Sequence, residues 1–563
     1  QVPTRSRKHR PLYCALYLAS AHRAMPQNIL KPAEDAALLD AKEQEVISHS
    51  KSESQPNSKS IDSLFRLSWY NIRIFFLVEF ILLAGSGNMF YMVYSGAAPK
   101  SVACVGLNLT IDDVCQVDHY DQSACSLRPD YDFLSLNVEF GYLCKASTLV
   151  KSSISVQMMG VLVGCVVWGM VSDSIGRRKT LIMCTTGLLA MCLITTFSAS
   201  LWTFTALRTV LSFFNGGGLV VYAVYLMEHV PRRHSLLVSC IITWSPNIIL
   251  TNFIAYYAQD WRTFQFYLGL CCIPAFPLFF FVYESPRWLI QRGRMEEARR
   301  IFIRIQEIDG VSTSKMDNMM AIIDEEHEKQ LAKEQKARRY NITHLFRHAH
   351  LAKAACMLSF GMFITSIIAY ALLYNLEKLS GSLFMNNFYL GVARWAINIV
   401  AGVVDLRFPR CGRIAFNSVF EGVNIACLLL VFVAQYTGKA AEWGPLIRVA
   451  VIATAAICST IFITKSMAAV EFFPTVIRNS AVSFTTMFLR IGTVASPQIF
   501  FLPTKWLPYL ILAVLTAMDV IGFYAIVPET KGAPMTESMP EEVKVTKGMK
   551  GKEADVEAEP LAD

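Results

Sequence analysis

Five ionisable residues sit inside runs of sequence that are otherwise almost wholly apolar: Glu79, Arg208, Arg394, Lys465 and Arg490. A charge at the centre of a bilayer costs about 2.5–3.5 kcal/mol on insertion scales, so such residues face a cavity or a partner. Arg490 lies about midway in its segment, in Phe488-Leu-Arg490-Ile-Gly492. A guanidinium there is a fixed, permanently charged fork suited to a carboxylate or sulfate. Glu79 is expected to compensate by pairing with Arg394 or Arg490. Lys465 lies within two turns of Glu471 and is expected to reach the membrane surface with its long stem. Arg208 opens its segment, which favours a structural role. Asn88, Tyr222, Tyr225, Trp244 and Tyr370 are the polar and aromatic residues expected to share a binding surface with these charges.

This chemistry binds ions; it does not make or break bonds. The chain carries no phosphate loop of the Walker type, no His cluster with metal-ligand spacing and no Ser-His-Asp signature. The expectation is a protein that is not an enzyme and has neither cofactor nor metal.

The elements that must position these residues are membrane helices. Of 563 residues, 53% are hydrophobic, only 17% are charged and Phe occurs 36 times. A soluble chain of this size needs more polar surface, whereas lipid solvates apolar side chains directly. A span needs about 20 mostly apolar residues, because lipid offers the backbone no hydrogen-bond partners. Such segments fall near 71–95, 153–172, 180–200, 203–227, 235–257 and 264–283. A second set falls near 352–374, 383–404, 414–434, 446–466, 480–501 and 507–527. The eighth segment is the least regular, because it carries Asn386, Asn387, Arg394 and Asn398.

Two long polar stretches set the orientation. Residues 96–151 carry Cys104, Cys115, Cys125 and Cys144 with the sequon Asn108-Leu-Thr110, which suggests two disulfides and a glycan in an extracellular loop. A second sequon, Asn341-Ile-Thr343, falls in a loop placed inside. Residues 284–351 are rich in Lys and Arg and belong on the cytoplasmic side by the positive-inside rule, with 296–339 reading as an amphipathic helix on the inner face. An odd number of spans separates the two stretches, so the assignments agree. Both termini, 1–69 and 528–563, are then cytoplasmic tails, and the net charge of +8 reflects topology and not nucleic-acid binding.

The two sets of spans repeat one another. Gly169, Asp173, Gly176, Arg177 and Arg178 follow the second span; Gly402, Asp405, Gly412 and Arg413 follow the eighth. Glu228 and Pro231 end the fourth; Glu471, Pro474 and Arg478 end the tenth. Glu284 follows the sixth and Glu529 the twelfth. Matched pairs in the same order imply two six-helix halves, 70–283 and 352–527, related by an axis along the membrane normal. The repeated acids and arginines at helix ends are expected to act as charge clamps in gating.

These motifs resemble a known family. Gly169 to Arg178 is similar to the hallmark loop of the major facilitator superfamily. Glu284-Ser-Pro-Arg-Trp-Leu289, Tyr225-Leu-Met-Glu228, Asp260-Trp-Arg262, Phe473-Pro-Thr-Val-Ile-Arg-Asn479 and Pro528-Glu-Thr-Lys-Gly532 resemble motifs of its organic cation, organic anion and carnitine carriers. The resemblance covers about 70–532. It implies an all-α membrane protein of the major facilitator fold, a central cavity between the halves, and alternating access by a single chain. Arg490 stands where anion members carry a basic residue and cation members an acidic one, and Tyr370 matches a tyrosine of the anion members. Two departures stand out: Ser174 replaces a usual basic residue, and Leu406 to Cys411 interrupt the second loop copy and leave its clamp geometry open.

The expected function is transport of small organic anions across the plasma membrane, by uniport or exchange. A carrier of organic cations or carnitine-like zwitterions is the nearest alternative, with Glu79 as the cation partner. A non-transporting scaffold or receptor that kept the fold is the alternative of another class.

Overall fold

The computed structural model describes residues 68–99, 101–104, 107–110, 128–142, 146–230, 244–310, 343–408, 412–474, 477–502 and 504–531. Of the first half it shows α1 (Trp69–Ser95), α2 (Leu136–Glu139), α3 (Ser147–Ile175), α4 (Arg177–Thr195), α5 (Leu201–His229), α6 (Trp244–Ala258), α7 (Trp261–Leu270) and α8 (Ala275–Phe280). Two short helices follow, α9 (Pro286–Gln291) and α10 (Met295–Ile308). The second half comprises α11 (Thr343–Arg347), α12 (Ala349–Leu373), α13 (Leu383–Arg407), α14 (Arg413–Tyr436), α15 (Gly444–Phe472), α16 (Arg478–Ala495) and α17 (Leu507–Ile526). The molecule is an all-α membrane protein of the major facilitator fold.

Local sequence explains where these helices start. Ser200 and Thr203 form a reciprocal capping box at α5. The Asp260 carboxylate accepts from the N–H groups of Arg262 and Thr263 at 2.9 and 2.8 Å and opens α7. Ser285 caps α9, whose first residue is Pro286, where a missing N–H costs nothing. The sixth segment, expected as one helix over 264–283, is two helices broken by a turn at Cys271 to Pro274. Proline cannot donate to the preceding turn, and the chain bends there.

Among the described residues, ten helical segments are long and apolar enough to cross a membrane. The described part of α6 is 15 residues, and α16 at 18 residues is too polar to qualify, since it carries Arg478, Ser480, Ser483, Thr485, Thr486, Arg490 and Thr493. A helix whose polar face lines a cavity can stay in the membrane without being apolar all round. Large apolar side chains stand exposed around the outside, Phe197, Trp202 and Phe280 among them, as a bilayer-facing surface requires. Within the first half α3 and α5 pack in close contact, because a Cβ on Gly164 would lie 2.1 Å from the Phe213 carbonyl oxygen.

The halves meet along two helix pairs, α3 with α16 and α6 with α13. Most of the described hydrogen bonds and ring contacts between them gather at one end of the molecule, whereas Asn398 of α13 donates to Ser245 of α6 deeper in the membrane at 3.5 Å. Lys151 pairs with Glu377 at 2.7 Å and donates to the Tyr374 carbonyl. Leu383 N–H donates to Asp132, and Phe384 stacks against Tyr94 with centroids 5.8 Å apart. At this end lies a small antiparallel sheet, in the order β2 (Leu107–Thr110), β1 (Ser101–Cys104), β3 (Arg128–Asp130). Asn108 lies in β2 opposite Ala103, and Cys104 ends β1. Cys115, Cys125, Cys144, Asn341 and residues 1–67 and 532–563 lie outside the described residues.

Candidate functional site: two clamps and a central cavity

At the opposite end, each half closes on a charge cluster. In the first, the Arg177 guanidinium contacts Asp173 at 2.5 Å and Glu228 at 3.1 Å. Glu284 completes the cluster, accepting from the N–H groups of Arg177 and Arg178 at 2.8 and 3.0 Å. A carboxylate on two free N–H groups at a helix start satisfies donors that the helix cannot, and it complements the dipole. Gly176 makes this possible: its φ is +112°, and a Cβ there would lie 2.4 Å from a Glu284 oxygen. Arg178 turns away to the Phe279 carbonyl at 2.8 Å. Trp288 and Arg292 of the following segment both donate to the Asp173 carbonyl.

The second half repeats the centre of this arrangement. Arg413 contacts Asp405 and Glu471, each at 2.9 Å, and Glu529 accepts from the N–H groups of Arg413 and Ile414 at 2.6 and 3.1 Å. Lys531 donates to the Asp405 carbonyl at 2.9 Å and pairs with its carboxylate. The six residues Leu406 to Cys411 therefore leave the clamp geometry intact: eight positions separate Asp405 from Arg413 where four separate Asp173 from Arg177, and the same bonds form. Gly402 and Gly169 have open space around them. The Arg478 Nε donates to the Phe473 carbonyl at 3.2 Å and so braces the end of α15. Each clamp ties helices of its own half together.

Midway between the two ends is a small cavity lined by Phe90, Ala369, Tyr370, Leu373, Leu390, Arg394, Ala455 and Phe462. It is walled by α1, α12, α13 and α15. Arg490 of α16 stands beside Tyr370, with Tyr222 and the Cys165 thiol as its other neighbours. Arg394 has Tyr370 and Cys458 around it. Neither arginine makes an ion pair among the described residues, and the Nε of each has no hydrogen-bond partner. Both keep part of their surface exposed. The structure thus brings Arg394, Arg490 and Tyr370 together. Trp244 adjoins the same wall, edge-on to Phe90 and donating to the Tyr222 hydroxyl at 3.3 Å.

Other expected site residues lie elsewhere. Glu79 meets neither arginine; it accepts from Asn247 of α6 at 2.9 Å. Asn88 is buried against Arg208, whose guanidinium donates to the Asn88 side chain at 2.7 Å, to Gln265 at 3.0 Å and to Gln157 at 3.2 Å. The reason is the helix face: Asn88 points into the first half, towards α3 and α5, where a buried cation needs acceptors. Tyr225 is fully buried, donating to the Tyr283 carbonyl at 2.6 Å. Lys465 does not reach the surface. It is wholly buried, 2.6 Å from Glu421, and bonded to Asp519 and Thr365. Glu421 and Asp519 escaped the sequence reading, although each is a lone acid in an apolar run, the signal that found Glu79.

A family model described as sugar (and other) transporter matches residues 110–541, more than half of the chain. The chain belongs to this family, among the organic ion transporters of the major facilitator superfamily. Among curated relatives, an organic cation transporter protein of Drosophila melanogaster is 26% identical over 71% of this chain and 72% of its own length. The mouse (Mus musculus) proteins solute carrier family 22 member 4 and member 7 are 27% and 25% identical, over 78% and 74% of this chain and 78% and 76% of their own lengths. Among solved structures, the inward-open xylose transporter XylE of E. coli aligns over 84% of this chain and 99% of its own, with a TM-score of 0.60 at 14% identity. That likeness concerns the fold. Membership of this family agrees with the multi-pass architecture. Its members matched here are transporters, and transmembrane transport by a major facilitator is the function class of this chain.

Proposed function

We propose that this transporter carries small organic anions by alternating access, with Arg490 and Arg394 as the anion-binding pair and Tyr370 as the aromatic platform beside them. The single observation that supports it is the pair of guanidinium groups beside one central cavity, neither neutralised by a carboxylate. A buried charge without a partner is costly, so a site of this kind is built to be completed by a ligand of opposite sign. Two planar forks suit carboxylates, urate-like molecules and sulfate or glucuronide conjugates.

The lysine- and arginine-rich segment at the clamp end supports a cytoplasmic position for that end and for both termini, with the protein in the plasma membrane. The cysteine-bearing loop is then extracellular. Contacts between the halves at the loop end support a state closed to the outside, and the clamps keep each half rigid as it rocks. The chain works as one polypeptide.

A zwitterion is the second reading, favoured by one observation: Tyr222 lies within electrostatic reach of both Arg490 and Glu79. A carnitine-like molecule would place its carboxylate on the arginine and its ammonium towards Glu79.

The test is uptake of labelled hippurate, tetraethylammonium and carnitine in oocytes expressing the chain, its Arg490→Ala variant and its Glu79→Gln variant. Hippurate uptake abolished by Arg490→Ala and retained by Glu79→Gln is the expected result. Carnitine uptake lost in both variants favours the zwitterion, and tetraethylammonium uptake alone overturns the anion reading. No saturable uptake of any kind at normal surface abundance favours a scaffold.

A further inference from the structure

The core of the second half holds an ion cluster that the cavity does not use. Lys465 of α15, Glu421 of α14 and Asp519 of α17 meet with at most 1% of any side chain exposed. Lys465 Nζ bonds to the Asp519 carboxylate and to the Thr365 hydroxyl of α12, the latter at 3.1 Å. Glu421 Oε1 lies 2.6 Å from the same Nζ but out of hydrogen-bonding direction, so both Glu421 oxygens, and Asp519 Oδ1, have no donor. Asn417 lies one turn before Glu421 on the same face of α14, and both atoms of its amide are buried without a partner. Gly361 of α12 gives the cluster its space: a Cβ there would lie 2.6 Å from Asp519 and 2.8 Å from Lys465.

One ammonium and two carboxylates leave a charge of −1. A dry interior does not hold an unbalanced charge, and two carboxylates sharing one partner hold a proton between them. The empty acceptor positions on Glu421 and Asp519 are where that proton would bond. We propose that the Lys465–Glu421–Asp519 cluster is a proton-binding site, and that its proton travels together with the organic anion.

The coupling follows from placement and rests on the anion-carrier reading given above. Arg394, Lys465 and Glu421 all act on the Cys458 thiol of α15, which places the cavity arginine and the cluster on two sides of one side chain. Asn398, one turn beyond Arg394, accepts from Ser459 and Thr460 of α15 at 3.0 and 2.9 Å. Among the described residues, the ionisable groups facing the carboxylates are Lys465, Cys458 and, past it, Arg394. An anion bound at Arg394 cancels the positive charge on the far side of Cys458 from Glu421 and so favours a proton at the cluster; by reciprocity, a bound proton raises the affinity for the anion. Glu421–COO⁻ takes up one H⁺ to become Glu421–COOH and releases it after the anion leaves, with no other change of bonding. Anion and proton cross as a neutral pair.

Two measurements test this. The first needs no substrate: infrared difference spectroscopy of the purified protein in lipid, wild type against Glu421→Gln and Asp519→Asn, at neutral pH. Each variant replaces an acid by an amide that supplies the donor the proton would provide, so at least one keeps the fold. The expected result is a carboxylic-acid C=O band in the wild type that is lost in the variant. Its absence from the wild type overturns the site. The second is uptake of labelled benzenesulfonate, which stays ionised at every pH used, with the outside neutral or mildly acidic. A several-fold rise on acidification in the wild type, abolished by a protonophore and missing from Glu421→Gln, supports co-transport. Equal uptake at both pH values overturns it. If the band is present but neither benzenesulfonate nor hippurate enters the cell, the proton site stands and the carrier reading falls.

Discussion

Among the described residues, each half of this transporter has one long basic side chain with none of its surface exposed, and the two are accommodated in opposite ways. Arg208 in the first half is surrounded by neutral acceptors, Asn88, Gln157 and Gln265, with its guanidinium 4.3 Å from the centre of the Tyr91 ring. Lys465 in the second half is surrounded by two acids. The guanidinium is delocalised and weakly hydrated, so dipoles and a ring face suffice to hold it. The ammonium is a compact, strongly hydrated charge that needs formal counter-charge. The first half is therefore a fixed polar core, whereas the second has an acid in excess and can change its protonation.

The sharpest way to break this contrast is Lys465→Met. It leaves Glu421 and Asp519 buried without a cation and is expected to destabilise the protein by about 3–5 kcal/mol, seen as loss of surface abundance and of thermal stability in detergent. Adding Glu421→Gln and Asp519→Asn to it should restore much of that loss; no restoration would mean that packing, not charge, dominates. Arg208→Met is expected to cost less, about 1–3 kcal/mol, because the three amides left behind can bond to one another. A cost equal to that of Lys465→Met would erase the distinction between the two cores.

The clamps sharpen the comparison, because they are the part the halves share. Glu284→Gln and Glu529→Gln each remove a carboxylate from two helix-start N–H groups, and each is expected to cost about 0.5–2 kcal/mol. Alanine at the two glycines should differ more. Gly176→Ala meets both a φ of +112° and the Glu284 carboxylate, whereas Gly412, at φ −74°, meets only the movable side chain of Glu529. Thermal stability of the pair should fall further for Gly176→Ala; equal losses would mean that the backbone is not strained at Gly176. The smallest effect is expected for Glu79→Gln, about 0.5–1.5 kcal/mol, since the amide keeps an acceptor for Asn247 and no arginine depends on it. A restored surface abundance when Arg490 or Arg394 is neutralised as well would show a pairing that the structure does not contain.

The helical fold and the clamps were legible in the sequence, for reasons that differ. Apolar runs of span length announce membrane helices one at a time, and the clamp residues announce themselves by recurring: Asp173, Arg177 and Glu228 against Asp405, Arg413 and Glu471. The insertion at Leu406 to Cys411 obscured the second copy, because spacing along a loop does not fix the distance between its ends. What was not legible was the pairing of buried charges. Lys465 was read by its distance along the helix from the membrane surface, yet its direction around the helix, towards Glu421 and Asp519, decided its fate. Asn88 was read as cavity-facing for the same lack of rotational information. Arg394, Arg490 and Tyr370 were legible together because three helices bring them to one depth, and depth can be counted along a sequence.

The brackets that close each half have a consequence for how the polypeptide can be divided. Glu284, Trp288 and Arg292 fasten the chain leaving the first half back onto α3 and α4, and Glu529 and Lys531 do the same for the second half onto α13 and α14. Each six-helix unit therefore carries its own lock within its own stretch of sequence, and the described lock residues all fall before Gly310 or after Thr343. Two separate polypeptides split in that interval, made in the same cell, should assemble into a membrane protein as stable as the single chain, whereas a split before Glu284 should leave the first unit without its fastening and lower its abundance.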